Sequence, residues 1–307
     1  MKPTVLELCA GGGGQAIGFE RAGFDHSALI DDNDHACATL RINRPYWNVI
    51  NADIRQLDMA YWRGVDVVAG GLPCPPFSVA GKQKGRSDER DLFPALLRIV
   101  DATNPRMVVV ENVRGLMQRR FEQYRADLEC ALEKSGYRTK WGLLNAFDFG
   151  ANQNRTRAFM VAHGDDLSFQ WPEPNGGGGT VGEALSELIA EGGWLHAKEW
   201  AAKADQPAPT LTGGSHKHGG PDLGPTRSRA KWAEIGVDGL GIANEPPSRD
   251  FDGMPRLTIK MVACLQSFPP DWQFAGGKTQ QYRQIGNALT VELATAVAKA
   301  VRKCLKD

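Results

Sequence analysis

The sequence has no excess charge of either sign: 36 Lys and Arg balance 36 Asp and Glu, for a formal net charge of +0. Nothing global therefore advertises a polyanionic partner, and any nucleic-acid contact has to come from locally clustered Lys and Arg. No run approaches eighteen consecutive apolar residues, which argues against a membrane-spanning helix. Met1-Lys2-Pro3 leads directly into a short apolar strand without a signal-like apolar core or cleavage site, so the default compartment is the cytoplasm. The six cysteines (Cys9, Cys37, Cys74, Cys130, Cys264 and Cys304) show no CxxC spacing and no neighbouring His partner. That pattern disfavours a zinc site or a disulfide framework; reduced thiols and no bound metal are the natural reading. Internal repeats are absent as well.

What is present is a chain of 307 residues with 42% hydrophobic content, enough for one large α/β domain and a smaller one. Its first half alternates β-rich runs with helical patterns: Val5 to Leu8, Gln15 to Ala22, Ser27 to Ile30, His35 to Asn43, Val65 to Ala69, Leu92 to Thr103 and Met107 to Val110. Such alternation predicts parallel βαβ units in a doubly wound sheet, whose ligands bind at the carboxyl ends of the strands. The texture changes near Trp171-Pro172-Glu173-Pro174 and the run Gly176 to Gly179, which read as a linker. Beyond it, Gln206 to Pro255 is rich in Gly, Pro, Ser and His and reads as loop-built, before an amphipathic helix closes the chain from about Thr290 to Leu305.

Three constellations carry chemistry. Glu7-Leu8-Cys9-Ala10-Gly11-Gly12-Gly13-Gly14 follows the first strand and opens a helix, so its small residues allow close backbone approach to a ligand. A plain tight turn is the alternative, and a dinucleotide fingerprint is nearly satisfied too. Asp31, about twenty residues on, is placed for ribose hydroxyls, and Asp53, at the end of a third strand, for an adenine amino group. In the second, Gly70 and Gly71 are read as a sharp turn after a buried strand, and prolines then hold the thiol of Pro73-Cys74-Pro75-Pro76-Phe77-Ser78 outward as a nucleophile. A buried apolar cysteine is the alternative. Third, Met107 to Val110 deliver Glu111 to the same sheet edge, partly desolvated, which suits hydrogen bonding to a heterocycle nitrogen. Arg155 and Arg157 stand at i, i+2 in Gln153-Asn154-Arg155-Thr156-Arg157, so in a strand both would face one side.

In order and wording these motifs resemble the DNA (cytosine-5)-methyltransferases of bacterial restriction-modification systems. The resemblance rests on Leu8 to Gly14, Pro73-Cys74 to Ser78 with Gly81-Lys82-Gln83-Lys84-Gly85, Glu111-Asn112-Val113, and Gln153 to Arg157. It continues through Arg256-Leu257-Thr258, Leu265-Gln266-Ser267-Phe268-Pro269 and Gln284-Ile285-Gly286-Asn287-Ala288, covering nearly all the chain apart from about residues 172 to 255.

The resemblance implies a doubly wound domain for S-adenosylmethionine (SAM) at 1–171 plus 275–307, and a smaller, loop-rich target-recognition domain at 172–274 inserted before the C-terminal helix. It implies a cytosine flipped from duplex DNA, attacked at C6 by Cys74 and methylated at C5, with S-adenosylhomocysteine as product. Glu111 would hold N3 and the exocyclic amine, Arg157 would bind O2 and brace Glu111, and Arg155 would hold Cys74 and nearby backbone. Cofactor contacts would come from Ala10, Gly11, Gly13, Asp31, Asp53, Ile54, Leu92, Asn287 and Ala288. Ser78 and the basic loop with Lys82, Lys84 and Arg86 would meet phosphates. The second domain offers further cations, among them Lys203, His216, Lys217, His218, Lys231 and Arg249, with Arg227 and Arg229 as base readers.

Three positions depart from the family's pattern: Cys9 stands for an aromatic, Pro75 for a glutamine and Met261 for a glutamate. A monomer acting on a short palindrome is expected, with room for a cognate restriction endonuclease at the same site. The rivals are a tRNA cytosine-5 methyltransferase of the same family, a catalytically silent DNA-binding member, and cysteine-dependent NAD chemistry. The Cys-Phe-Thr signature of the RNA-directed members is absent, the catalytic set is intact, and NAD chemistry leaves the arginine pair unexplained.

Overall fold

The structure, a computed structural model, describes residues 1–72, 91–214 and 220–306. Strands β1 (Thr4–Leu8), β2 (Asp25–Asp31), β3 (Val49–Asn51), β4 (Val67–Gly71), β5 (Met107–Val113), β6 (Tyr137–Asn145) and β7 (Thr156–Gly164) form one sheet in the order β3-β2-β1-β4-β5-β7-β6. The pairs β1·β2, β2·β3, β1·β4 and β4·β5 are parallel, joined through helices α1 (Gly14–Arg21), α2 (Asp34–Asn43) and α3 (Phe93–Thr103). Strand order reverses on either side of β1, which places a crevice at the carboxyl ends of β1 and β4. The expected parallel pattern stops at β5, because β7 returns antiparallel to it, with Glu111 opposite Phe159 and Val113 opposite Arg157. Helix α4 (Glu122–Lys134) lies between β5 and β6 in sequence.

The β1, β4 and β5 strands read as nearly continuous apolar runs because the parallel part of the sheet is covered on both faces. Leu6, Leu8, Val68, Val108 and Val110 are all buried, and Leu96 and Ile99 of α3 pack into the same core. Gly70 and Gly71 do not turn the chain: both lie in β4, Gly70 beside Leu8 and Val110. A Cβ at Gly70 would stand 2.6 Å from the Leu8 carbonyl oxygen, so glycine is needed there for the close approach of two strands.

The chain forms two compact units: residues 1–144, 156–173 and 294–307, and residues 145–155 and 174–293. The second contains α5 (Val181–Ala190), α6 (Ala197–Lys203), α7 (Thr226–Glu234), α8 (Ile259–Leu265) and α9 (Lys278–Asn287), while the closing helix α10 (Val291–Lys306) begins in it and ends in the first. Between 206 and 255 the described residues form one helix, α7, and isolated bridges, matching a loop-built reading. Helix α8 shows why Met261 serves in place of a glutamate. Met261 N–H donates to the Thr258 hydroxyl at 3.3 Å, and Thr258 N–H points back at the Met261 sulfur at 3.4 Å, a capping box closed by a thioether. Among the described residues no helix is long and apolar enough to cross a membrane.

Candidate active site

In the first unit, the carboxyl ends of β1, β2 and β3 converge on the glycine loop. Cys9 and Gly11 have φ of 53° and 55°, and Gly13, at 94°, starts α1. This left-handed passage costs Cys9 on the order of 1 kcal/mol and costs the glycines little. Backbone ties hold the loop: Ala10 N–H donates to Ile30 O at 3.1 Å, and Gly11 N–H to Asp31 Oδ2 at 2.8 Å. The other Asp31 oxygen accepts Asn33 N–H at 2.9 Å. Burial pushes the Asp31 carboxyl up against the pull of these two amides. Asp31 is thus first an anchor for the loop, with lone pairs left for hydroxyl donors.

Asp53 is held by a residue that the sequence reading did not single out. Arg55 Nη2 lies 2.6 Å from Asp53 Oδ2, Nε reaches both carboxylate oxygens, and the Arg55 N–H donates to Oδ1 at 2.9 Å. The Arg55 side chain keeps this carboxyl below the usual range. The i, i+2 spacing of an Asx turn was the available signal. The Cys9 thiol is pushed up by burial and then by the charges of Asp31, Asp32 and Asp53, which brings three carboxylates into one neighbourhood. Ile54 is buried, and Leu92 packs half-buried on the core at the start of α3. At Gly11 an added Cβ would meet nothing within 4 Å, so the loop backbone faces open space. Open backbone, carboxylate acceptors and apolar side chains fit a nucleoside with a ribose diol and a heterocycle.

Glu111, near the carboxyl end of β5, is 8% exposed. The antiparallel pairing makes Arg157 its diagonal cross-strand neighbour, and Arg157 Nε lies 2.7 Å from Glu111 Oε1. Gly71 of β4 sits opposite Glu111, where a Cβ would stand 3.4 Å from Oε2, so the glycine leaves the carboxylate its room. Next to it, buried Asn112 donates from Nδ2 to the Leu72 carbonyl at 3.3 Å and accepts Val113 N–H at Oδ1. Asn112 therefore fixes the last described residue before Pro73-Cys74. Cys74 itself lies outside the described residues, as do Ser78, Lys82, Lys84 and Arg86.

The two arginines do not share a face. Arg155 precedes β7, and its guanidinium, in a fully buried side chain of the second unit, donates to three backbone carbonyls: Leu211 at 2.5 Å, Gly286 at 2.9 Å and Ala288 at 2.8 Å. Gln153 joins the same node, donating to Gln266 Oε1 at 3.1 Å and accepting Leu211 N–H, while Gln266 donates to Ile285 O at 2.6 Å. The Gln153–Arg157, Leu265–Pro269 and Gln284–Ala288 motifs thus meet in one buried polar network. Asn287 and Ala288 end α9 there, with Asn287 Nδ2 donating to Gly214 O at 3.4 Å. Arg227 is exposed on α7, while Arg229 donates to the Thr226 hydroxyl at 3.3 Å. His216, Lys217 and His218 lie outside the described residues.

The family model described as C-5 cytosine-specific DNA methylase matches residues 3–303. The chain belongs to this family. It is 47% identical over 309 residues to the type II methyltransferase M.NaeI of Lentzea aerocolonigenes, covering 98% of this chain and 75% of that protein. With M.NgoMIV of Neisseria gonorrhoeae, also a type II methyltransferase, it shares 47% identity over 312 residues, covering 100% and 99%. The fold is similar to that of Entamoeba histolytica methyltransferase EhMeth, at TM-score 0.71 and 16% identity over the whole of both chains. A mutant DNMT2 from Spodoptera frugiperda is comparably similar, at TM-score 0.69 and 19% identity over 98% and 99%.

Proposed function

We propose that this chain is the methyltransferase of a type II restriction-modification system, a cytoplasmic enzyme that transfers the SAM methyl group to C5 of a cytosine flipped from duplex DNA. The observation that carries the reading is the Glu111–Arg157 pair at 2.7 Å on the same carboxyl edge as the open glycine loop. Ala10, Gly11, Gly13, Asp31, Asp53, Ile54 and Leu92 would hold SAM in the first unit. SAM supplies an electrophilic methyl group.

The protein's own residues make cytosine a nucleophile at C5. The Cys74 thiolate adds to C6, and the C5=C6 electron pair moves towards C5. Glu111 holds N3 and the exocyclic amine, while Arg157, oriented by Glu111, turns its remaining N–H groups to O2. Loss of the C5 proton returns electrons to the ring and breaks the C6–S bond, restoring the thiolate. A base stacked in a duplex exposes neither face to these groups, which is why flipping is required. Arg155 holds the backbone at Leu211, Gly286 and Ala288, so it acts as a positioning residue. The second unit, with Arg227 and Arg229, would recognise the target sequence.

Bisulfite sequencing of DNA from a host lacking cytosine methylation, expressing the wild-type chain or Cys74→Ser, tests the reading. Protected cytosines confined to one short sequence, and lost in the variant, are expected. Uniform conversion with folded protein present would overturn it, and undiminished protection by Cys74→Ser would remove Cys74 as the nucleophile. Glu111→Gln should slow covalent trapping on 5-fluorocytosine DNA severely.

A further inference from the structure

In the second unit, two segments outside any helix run side by side: Asp238 N–H donates to Pro255 O at 3.0 Å, and Ala243 N–H to Leu257 O at 2.9 Å. Between them lies an ordered ion pair. Arg256 Nε donates to Asp238 Oδ2 at 2.8 Å, and the other Asp238 oxygen accepts Leu240 N–H at 2.9 Å. Burial alone would raise the Asp238 carboxyl, but the bonds from Arg256 and Leu240 and the arginine's charge bring it below the usual range. The carboxylate is therefore a fixed bracket for the guanidinium. The Arg256 side chain is still 48% exposed, and among the described residues its Nη1 and Nη2 make no hydrogen bond. An outward fork of two N–H groups held at the third nitrogen is preorganised for a bidentate oxyanion.

We infer that Arg256, oriented by Asp238, contacts a backbone phosphate of duplex DNA and sets the register of the second unit on its target. This rests on the reading of the chain as a DNA methyltransferase. Two observations favour a phosphate. A Cβ at Gly241 would stand 3.4 Å from Arg256 Nη1 and 3.9 Å from Cδ, so the guanidinium lies along the surface at Gly241. A base-edge reader has to project into a groove about 8.5 Å deep. The pair also adjoins the basic helix α7, since Gly239 packs on the Arg229 side chain, and Arg227 and Lys231 are exposed there.

The test compares wild type, Arg256→Gln, Arg256→Lys and Asp238→Asn for binding to a duplex carrying the methylated sequence, to single-base-pair variants of that duplex and to an unrelated duplex, over a range of salt. Arg256→Gln should weaken all the duplexes by one common factor, roughly threefold to tenfold at 0.1 M salt, and lower the slope of log K against log salt by about 0.9. Arg256→Lys should retain the slope, Asp238→Asn should lose part of the affinity, and SAM binding should be unchanged in all three. Loss concentrated at one base pair would make Arg256 a base reader and overturn the inference. Unchanged affinity and slope in a variant with wild-type melting would reduce the pair to a surface contact and overturn it equally. Failure of the wild type to bind any duplex would instead strike the reading of the chain as a DNA methyltransferase.

Discussion

Replacing Arg157 with methionine keeps much of the side chain's length and removes its charge, leaving the Glu111 carboxylate, whose side chain is 11% exposed, without its cation. Breaking a buried pair in this way costs about 3 to 5 kcal/mol. Because this pair retains some water contact, the lower end, about 3 kcal/mol, is the expected cost. In a Glu111→Gln background the same replacement removes only a hydrogen bond to a neutral acceptor, worth about 1 kcal/mol. The double-mutant cycle should therefore show a coupling of about 2 kcal/mol. At about 2 °C per kcal/mol for a chain of this size, Arg157→Met should melt about 6 °C below wild type, and about 2 °C below its parent when Glu111 is already glutamine. Calorimetry of the four proteins in one buffer provides the readout. Equal shifts in both backgrounds, or a shift of Arg157→Met within about 1 °C of zero, would refute the claim that the two charges depend on each other.

Gly18→Ala would place a Cβ 2.6 Å from the Ala294 carbonyl carbon and 2.8 Å from Thr295 N, where α1 meets α10. Overpacking should outweigh alanine's better helix propensity by about 1 to 2 kcal/mol, and a melting temperature equal to or above wild type would contradict it. Cys9, with its thiol pushed up, should resist maleimide near neutral pH while exposed Cys130 reacts; peptide mapping that finds the two labelled at equal rates would refute the assignment. Burial pushes the Glu7 carboxyl up, more than its contact with His26 at 3.4 Å lowers it. The folded state then keeps a proton that the unfolded chain has released, so stability falls as pH rises from the ordinary carboxylate range through the folded value. Glu7→Gln should flatten that part of the melting-temperature curve, and parallel curves would count against it.

The regular part of the fold was legible because its signals are local. Apolar runs at β1 and β4 and the helical pattern at α3 show in the sequence within a residue or two of their observed ends, whereas β5 continues three residues past its apolar run, through Glu111 to Val113. The antiparallel return of β7 was not legible, since a buried strand reads the same in either direction and its partner is set by topology. Gly70 and Gly71 misled for a related reason: glycine marks both a turn and a close approach of two strands, and only the position of Leu8 decides. At the site, Glu111, Asp31 and Asp53 were singled out from their places at the carboxyl ends of strands, and Arg157 from its i, i+2 spacing with Arg155. Their partners were less so. Arg155 was expected to face the same way as Arg157, but the strand begins one residue after it, and its guanidinium is used on carbonyls 56, 131 and 133 residues further on.

Those sequence separations bear on how the protein is made. Neither compact unit is a continuous stretch: the first needs the segment from 294 onward, and the second needs 145–155 together with residues up to 293. A ribosome that has just passed residue 155 has released a buried arginine whose three acceptors do not all exist until Ala288 is made. At about 5 to 20 residues per second, that interval lasts about 7 to 27 s, during which the sheet also lacks its last helix. The nascent chain cannot finish one half and then begin the other. It has to be kept from misassembly as a whole, and its yield in a cell should respond to translation speed and chaperone supply more steeply than that of a protein of the same size whose domains follow one another along the chain.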